Sequence, residues 1–74
     1  MTDQQARVHA YYANAMRYEV RTRKGSVMSR HATVEQAADA AYVAAGRTSY
    51  AEVYDTKQKA RLGWYDQNGD GHEG

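Results

Sequence analysis

The scarcity of large aliphatic side chains is the property that most constrains how this sequence can fold. The 74 residues include six Val and a single Leu, with neither Ile nor Phe. Thirteen Ala and seven Tyr supply most of the hydrophobic share of 42%. A chain of this length forms one domain and buries only about 60% of the surface that it exposes when unfolded. We therefore expect one small domain over residues 1–74, with a thin core. Burial between two copies would add to its stability, so a homodimer is an expected alternative to the monomer.

Composition argues against several function classes. The chain has no Cys, which excludes disulfides, cysteine-type zinc sites and thiol nucleophiles. Its formal net charge is +1, far from the strongly basic balance of a dedicated nucleic-acid-binding domain. It contains no run of about 18 apolar residues and no charged-then-apolar leader. These observations predict a cytoplasmic protein without a membrane segment.

The N-terminal segment has the periodicity of an amphipathic helix. Five apolar side chains follow the spacing i, i+3, i+4, i+7 and i+8, which places them on one helical face. They are Val8, Tyr11, Tyr12, Ala15 and Met16. Thr2 or Asp3 can cap this helix, and the negative charge of Asp3 suits its positive N-terminus. The pattern predicts a helix over residues 3–16.

The period changes to two over residues 17–23, where uncharged and charged side chains alternate, and this alternation predicts a strand. The charged set is Arg17, Glu19, Arg21 and Arg23. Lys24-Gly25 supplies a turn, and residues 26–31 return as a second, short strand. A two-residue turn sets Glu19 opposite Arg30, which is a favourable cross-strand pair.

The clearest helix signal lies over residues 33–45. Thr33 and Gln36 form a Thr-x-x-Gln capping box, and Gly46 stands at the position where a helix often ends. The side chains on the apolar side of this helix are Val34, Ala37, Ala38, Ala41, Tyr42 and Ala45. The small alanines would let the helix lie close to a sheet.

Two β-rich runs, residues 49–56 and residues 60–65, follow on either side of Lys57-Gln58-Lys59 and predict a hairpin. Residues 66–74 are polar and rich in Gly, so we expect a flexible tail. The predicted order is helix-β(β)-α-β-β, with an α+β core over residues 17–65. The expected fold is α+β, a small antiparallel sheet of three to four strands with two helices packed on one face.

The outward side of the last hairpin depends on its register. If Ala51, Val53, Leu62 and Trp64 point at the helices, then Tyr50, Tyr54 and Tyr65 point to solvent. A shift of one residue reverses this assignment. We favour the first arrangement because it buries the only Leu and the only Trp.

No catalytic or metal-binding constellation stands out in the sequence. His9, His31 and His72 are not at metal-ligand spacing, and none neighbours a candidate nucleophile. Residues 66–71 match the first half of a calcium loop, but the bidentate Glu required at loop position 12 has no counterpart. We therefore expect no metal, no cofactor and no enzymatic activity.

A cluster of basic and tyrosine side chains is the strongest functional feature. Arg and Tyr are enriched at protein-binding hot spots, and they also neutralise phosphates and stack on bases. The predicted partner-binding residues are Arg17, Arg21, Arg23, Lys24, Arg30, Tyr54 and Tyr65.

The layout of these elements resembles that of a known group of proteins. The residues that carry the resemblance are the strand over residues 17–23, Thr33-Val34-Glu35-Gln36-Ala37-Ala38 at a helix start, and the hairpin pieces Ala51-Glu52-Val53-Tyr54-Asp55 and Leu62-Gly63-Trp64-Tyr65. This order is similar to that of small phage and mobile-element accessory proteins, including some anti-CRISPR proteins. The resemblance covers residues 17–69 and implies a small protein that docks on a larger host machine.

Two functions are consistent with these observations. The first is a non-enzymatic binding protein, a phage-type inhibitor or modulator that docks on a host protein or nucleoprotein complex. The alternative is a small nucleic-acid-binding protein that uses the Arg and Tyr side chains of the sheet. The near-neutral charge favours the first, and the clustering of Arg on one strand favours the second.

Overall fold

A computed structural model describes residues 16–74 of the chain. The helix predicted for residues 3–16 lies outside the described residues, except for Met16, which is in a turn. The elements that follow are β1 (Tyr18–Arg21), β2 (Val27–His31), α1 (Val34–Thr48), β3 (Tyr50–Asp55), β4 (Ala60–Asp66) and β5 (Gly71–Glu73).

The five strands form one antiparallel sheet in the order β2-β1-β3-β4-β5, and α1 packs on one of its sides. The α+β character expected from the sequence is confirmed. The expected fold of two helices with three to four strands is wrong, because the described residues contain one helix and five strands. The additional strand, β5, lies within residues 66–74, for which we expected a flexible tail.

A turn built on Asp66 brings β5 back onto β4. The Oδ1 atom of Asp66 accepts hydrogen bonds from the backbone N–H groups of Asn68 at 2.9 Å and Asp70 at 3.1 Å. Gly69 takes a positive φ of 83°, a conformation that glycine adopts without steric cost. A segment rich in Asp, Asn and Gly is therefore a hairpin turn here.

The hairpin of β1 and β2 has the predicted pairing, but its strands are shorter and its turn is longer than predicted. The turn between them includes Gly25, whose φ is 88°. Glu19 pairs with Arg30 in the register of the two strands, as expected. The Nε atom of Arg30 lies 3.0 Å from Oε2 of Glu19, so the predicted cross-strand ion pair is confirmed.

The start of α1 is confirmed, whereas its predicted end is wrong. Thr33 is the N-cap, and its Oγ1 accepts a hydrogen bond from the backbone N–H of Gln36 at 3.2 Å. The helix continues through Gly46 and ends at Thr48, and its C-cap Ser49 adopts the left-handed conformation with φ of 73°. The Thr48 hydroxyl lies within hydrogen-bond distance of the Ala44 and Tyr50 carbonyl oxygens, which stabilises the last turn and its junction with β3.

The core is a close contact between alanines and the centre of the sheet. Three alanines of α1 pack on three residues of β1 and β3, and all six are at most 5% exposed. They are Ala37, Ala41, Ala45, Val20, Ala51 and Val53. Val34 and Tyr42, which we expected on the buried side, are 39% and 55% exposed. Tyr42 lies about 100° around the helix from the buried Ala41. Val34 is the first residue of α1, so the sheet covers neither side chain fully.

Two bulges bring larger apolar side chains to the sides of α1. Between Val20 and Arg21 the partner strand β2 contains the extra residue Met28. Between Val53 and Tyr54 the partner strand β4 contains the extra residue Leu62. Met28 lines a groove beside α1, and Leu62 packs against the core from the other side. The bulge at Leu62 therefore adds a larger apolar side chain to a core that alanine alone would leave narrow.

The bulge at Leu62 also overturns part of the predicted register. Downstream of the bulge, Trp64 pairs with Glu52 and Tyr65 pairs with Ala51. Since Ala51 faces α1, Tyr65 faces α1 too, where its ring makes an edge contact with Tyr42 at 5.7 Å between centroids. The expectation that Trp64 is buried against the helix and Tyr65 points to solvent is wrong, while Leu62 does pack on the core.

We predict that Gly63→Ala destabilises the β4–β5 pair by about 1–3 kcal/mol, the usual cost of overpacking. A Cβ atom at Gly63 would lie 2.7 Å from the carbonyl oxygen of His72, so β5 must move away. Thermal unfolding followed by circular dichroism measures the loss. Gly46→Ala is the matched control, because nothing lies within 4 Å of its added Cβ, and it should stabilise the helix slightly. A Gly63→Ala variant that melts at or above the wild-type temperature would contradict the close approach of β5 to Gly63.

Candidate functional site

The side of the sheet opposite α1 is the candidate functional site, and no other element among residues 16–74 covers it. We call this side the open face. Side chains alternate along each strand, so the residues that do not share a side with the core positions Val20, Ala51 and Val53 lie on the open face. They are Glu19, Arg21, Val27, Arg30, Tyr50, Glu52, Tyr54, Arg61, Trp64, Asp66 and His72, with Arg23 stacked at the margin.

A buried carboxylate lies at the centre of the arginine cluster. Glu19 is 6% exposed, and each of its oxygens contacts a different arginine. Arg21 NH2 lies 2.7 Å from Oε1, and Arg30 Nε lies 3.0 Å from Oε2. Burial raises the pKa of Glu19, but the hydrogen bonds from both guanidinium groups outweigh that effect and leave the pKa below its ordinary value. The carboxylate is therefore ionised and neutralises part of the arginine charge.

Arg21 is held on a second side by an aromatic ring. Its Cζ atom lies 3.6 Å from the ring centroid of Tyr54, which is a cation–π contact. Arg21 is thus positioned between Glu19 and Tyr54. Arg30 is freer, because 61% of its side chain is exposed.

Three rings on β3, β4 and β5 form an aromatic stack across the open face. The ring centroids of Tyr50 and Trp64 are 5.2 Å apart, and those of Trp64 and His72 are 4.0 Å apart, both in stacked orientation. Arg23 adds a fourth group, with its Cζ 4.7 Å from the Tyr50 centroid. The stack thus joins the exposed β1–β2 turn to the strand β5.

Hydrogen bonds fix both ends of this aromatic stack. The Tyr50 hydroxyl donates to Oε1 of Glu52 and accepts from NH1 of Arg61, each at 2.8 Å. Burial, and then the hydrogen bond to Glu52, raise the pKa of Tyr50. At the other end, Nε2 of His72 lies 3.1 Å from Oδ2 of Asp66. This hydrogen bond lowers the pKa of Asp66.

The structure brings together only some of the predicted partner-binding residues. Arg21, Arg23, Arg30 and Tyr54 meet on the open face or at its margin, and Lys24 is exposed in the adjoining turn. Two predicted residues, Arg17 and Tyr65, are elsewhere. Tyr65 faces α1.

Arg17 forms a structural ion pair rather than part of the open face. Its Nε donates to Oδ1 of Asp55 at 2.7 Å, and its NH2 contacts Oδ2. Asp55 is 1% exposed and also accepts from the backbone N–H groups of Lys57 and Gln58. The hydrogen bond from Arg17 is the largest cause that lowers the pKa of Asp55 to about 2. This pair ties the chain before β1 to the end of β3.

Sequence reasoning missed the aromatic stack and Arg61. Two signals in the sequence indicate the aromatic stack. Gly63 inside a β-rich run marks a bulge or a close backbone approach, and it is both here. Asn68-Gly69 between two short runs is a hairpin signal, and it predicts a strand that brings His72 beside Trp64.

Asp66 and His31, two of the remaining acidic and histidine side chains, make local contacts. Within residues 16–74 there is no group of three or more His, Cys, Asp or Glu side chains placed to hold a metal ion. Both oxygens of Asp66 accept hydrogen bonds within the β4–β5 hairpin. Nε2 of His31 lies 2.8 Å from the Ser29 hydroxyl, and His9 lies outside the described residues.

Comparisons with known proteins give no relative. We found no matching family model, no matching curated protein and no matching solved structure for this chain. In the part of the chain that the structure describes, no helix is long and apolar enough to span a membrane.

We predict that the Asp55 carboxylate makes stability fall steeply in acid. The pKa of Asp55 in the folded chain, about 2, is below the ordinary value of 3.8. Its contribution to the free energy of unfolding is therefore complete above pH 4 and is lost as the pH falls towards 2. Thermal unfolding measured from pH 6 to pH 2 tests this. Asp55→Asn should have a lower melting temperature than the wild type at pH 6, and that temperature should fall less on acidification. The exposed Asp70→Asn is the control and should follow wild type. An Asp55→Asn variant with the wild-type acid slope would contradict the assignment.

Proposed function

We propose that this chain is a cytoplasmic, non-enzymatic binding protein that docks through its open face on a larger host protein or nucleoprotein complex. The observation that carries the proposal is the composition and order of that face. It combines arginine, tyrosine and tryptophan side chains that contact one another on a rigid sheet. The role of inhibitor or modulator follows from the resemblance in layout to phage accessory proteins.

The side-chain types on the open face are those that contribute most to protein binding. Trp, Tyr and Arg are the residues most enriched among binding hot spots. Here Arg21 is held by Glu19 and Tyr54, while Trp64 is held between Tyr50 and His72. Side chains that are already ordered lose little conformational entropy when a partner binds. The open face is therefore preorganised for contact.

The charges of the open face favour a protein partner over a nucleic acid. Arg21 and Arg30 share the buried carboxylate of Glu19, and Glu52 lies on the same face. This internal neutralisation weakens attraction to a phosphate backbone, which depends on many uncompensated cations. The exposed Arg23 and Lys24 at the margin add positive charge there. A partner surface with carboxylates at this margin fits best.

The aromatic stack is the observation that favours nucleic-acid binding as a second candidate. Proteins that bind single strands stack successive bases on exposed aromatic side chains beside basic groups. In this structure, however, both sides of the Trp64 ring are covered, by Tyr50 and by His72. Bases could stack only at the outer ends of the aromatic stack. This geometry makes a nucleic acid the weaker candidate.

We predict that Arg23→Glu combined with Lys24→Glu weakens partner binding at least tenfold, which corresponds to about 1.4 kcal/mol. Both side chains are exposed, so folding should be unchanged. Arg21→Glu is unsuitable, since it would set a second carboxylate beside the buried Glu19. The test captures the host partner with the full chain in nuclease-treated lysate and then measures affinity with the purified partner. Lys57→Glu, an exposed charge reversal in the β3–β4 turn, is the control and should bind normally.

Salt dependence separates the two candidates. A protein partner should lose little affinity between 50 and 200 mM salt, whereas a phosphate partner making six or more contacts should lose about a thousandfold or more. Fluorescence anisotropy of a labelled single-stranded oligonucleotide, measured over the same salt range, tests nucleic-acid binding. Tight, steeply salt-dependent oligonucleotide binding, or a double variant that binds its protein partner normally, would contradict the proposed function.

A further inference from the structure

Apolar side chains are exposed on the outer side of α1 and at its border with β2, in the part of the chain that the structure describes. Val43 is 56% exposed, and Met28, the bulge residue of β2, is 37% exposed. Both line one shallow groove together with Ala40 and Ala44. This surface is on the opposite side of the molecule from the open face.

Two opposite charges lie on either side of Val43. Asp39 is four residues before it and Arg47 is four residues after it, so all three lie along one stripe of the helix. Both charged side chains are exposed. Within residues 16–74, neither has an ion-pair partner within 4.0 Å. Along α1 the stripe is therefore negative at Asp39, apolar at Val43 and positive at Arg47.

Such a stripe is complementary to itself when it is reversed. In an antiparallel pair of α1 helices related by a two-fold axis at Val43, each Asp39 faces Arg47 of the other copy, and the two valines meet at the centre. Two-fold interfaces have this property, because the same patch on each copy contacts the other. Ala40 and Ala44 are small enough to let the helix axes approach to about 8 Å.

We infer that the occupant of this surface is a second copy of the chain, joined through an antiparallel pair of α1 helices with two Asp39–Arg47 ion pairs. The assembly has four layers: sheet, helix, helix and sheet. Its two open faces point away from each other and are free to bind. The inference does not rest on the proposed function, since it concerns the opposite side of the molecule.

A charge-exchange experiment on the full chain tests the inference. Sedimentation velocity should give twice the 8.3 kDa mass of one chain for the wild type. Asp39→Arg alone creates two like-charge contacts in the pair, and so does Arg47→Asp. Each single variant should dissociate at least about tenfold more readily. An equimolar mixture of the two variants restores both ion pairs and should form a heterodimer.

Two controls accompany the charge-exchange experiment. Circular dichroism confirms that each variant is folded, and Lys57→Asp, a charge reversal away from α1, should dimerise like the wild type. A wild-type chain that is monomeric up to about 1 mM would overturn the inference. Single variants that remain fully dimeric would show that two copies meet elsewhere. A mixture that does not recover would exclude the antiparallel arrangement.

Discussion

The extra residue Leu62 in β4 decides which side chains the sheet presents on each side. In a strand, side chains alternate between the two sides, so one added residue reverses the facing of every position beyond it. Without the bulge, Trp64 would share a side with Leu62 and point at α1. With it, Trp64 stacks on Tyr50 on the open face and Tyr65 contacts Tyr42 beside the helix. The candidate binding surface therefore depends on this single irregularity.

The thin core explains why the chain tolerates such irregularities. Alanine side chains of α1 fill little volume, and the six fully buried core residues lie in a narrow strip over β1 and β3. Met28 and Leu62, both inserted by bulges, supply larger apolar groups on either side of that strip. Polar interactions then fix positions that the core does not. The Arg17–Asp55 pair ties the start of β1 to the end of β3, and Glu19 holds two arginines in place.

Local signals in the sequence were sufficient for the local structure. The Thr33 cap, the Glu19–Arg30 pair and the β3–β4 hairpin each depend on residues close together in sequence or on strict alternation, and each was predicted correctly. The fifth strand was missed because a turn rich in Asp, Asn and Gly has the same composition as a flexible tail. The predicted facing of Trp64 and Tyr65 is wrong because the prediction gives priority to burying the only Trp. In the folded chain, Tyr50 and His72 cover that ring instead. Of the candidate site, the arginines on β1 and β2 were predictable, while the aromatic stack was not.

Nuclear Overhauser effects from the indole protons of Trp64 show on which side of the sheet this ring lies. A Trp64 ring on the open face predicts cross-peaks from the indole to the rings of Tyr50 and His72, whose centroids lie 5.2 and 4.0 Å away. It also predicts none to the methyl groups of Ala41 and Ala45, which pack on the other side of the sheet. Indole cross-peaks to those alanine methyls, without contacts to Tyr50 and His72, would contradict the bulge, the aromatic stack and the proposed binding surface together.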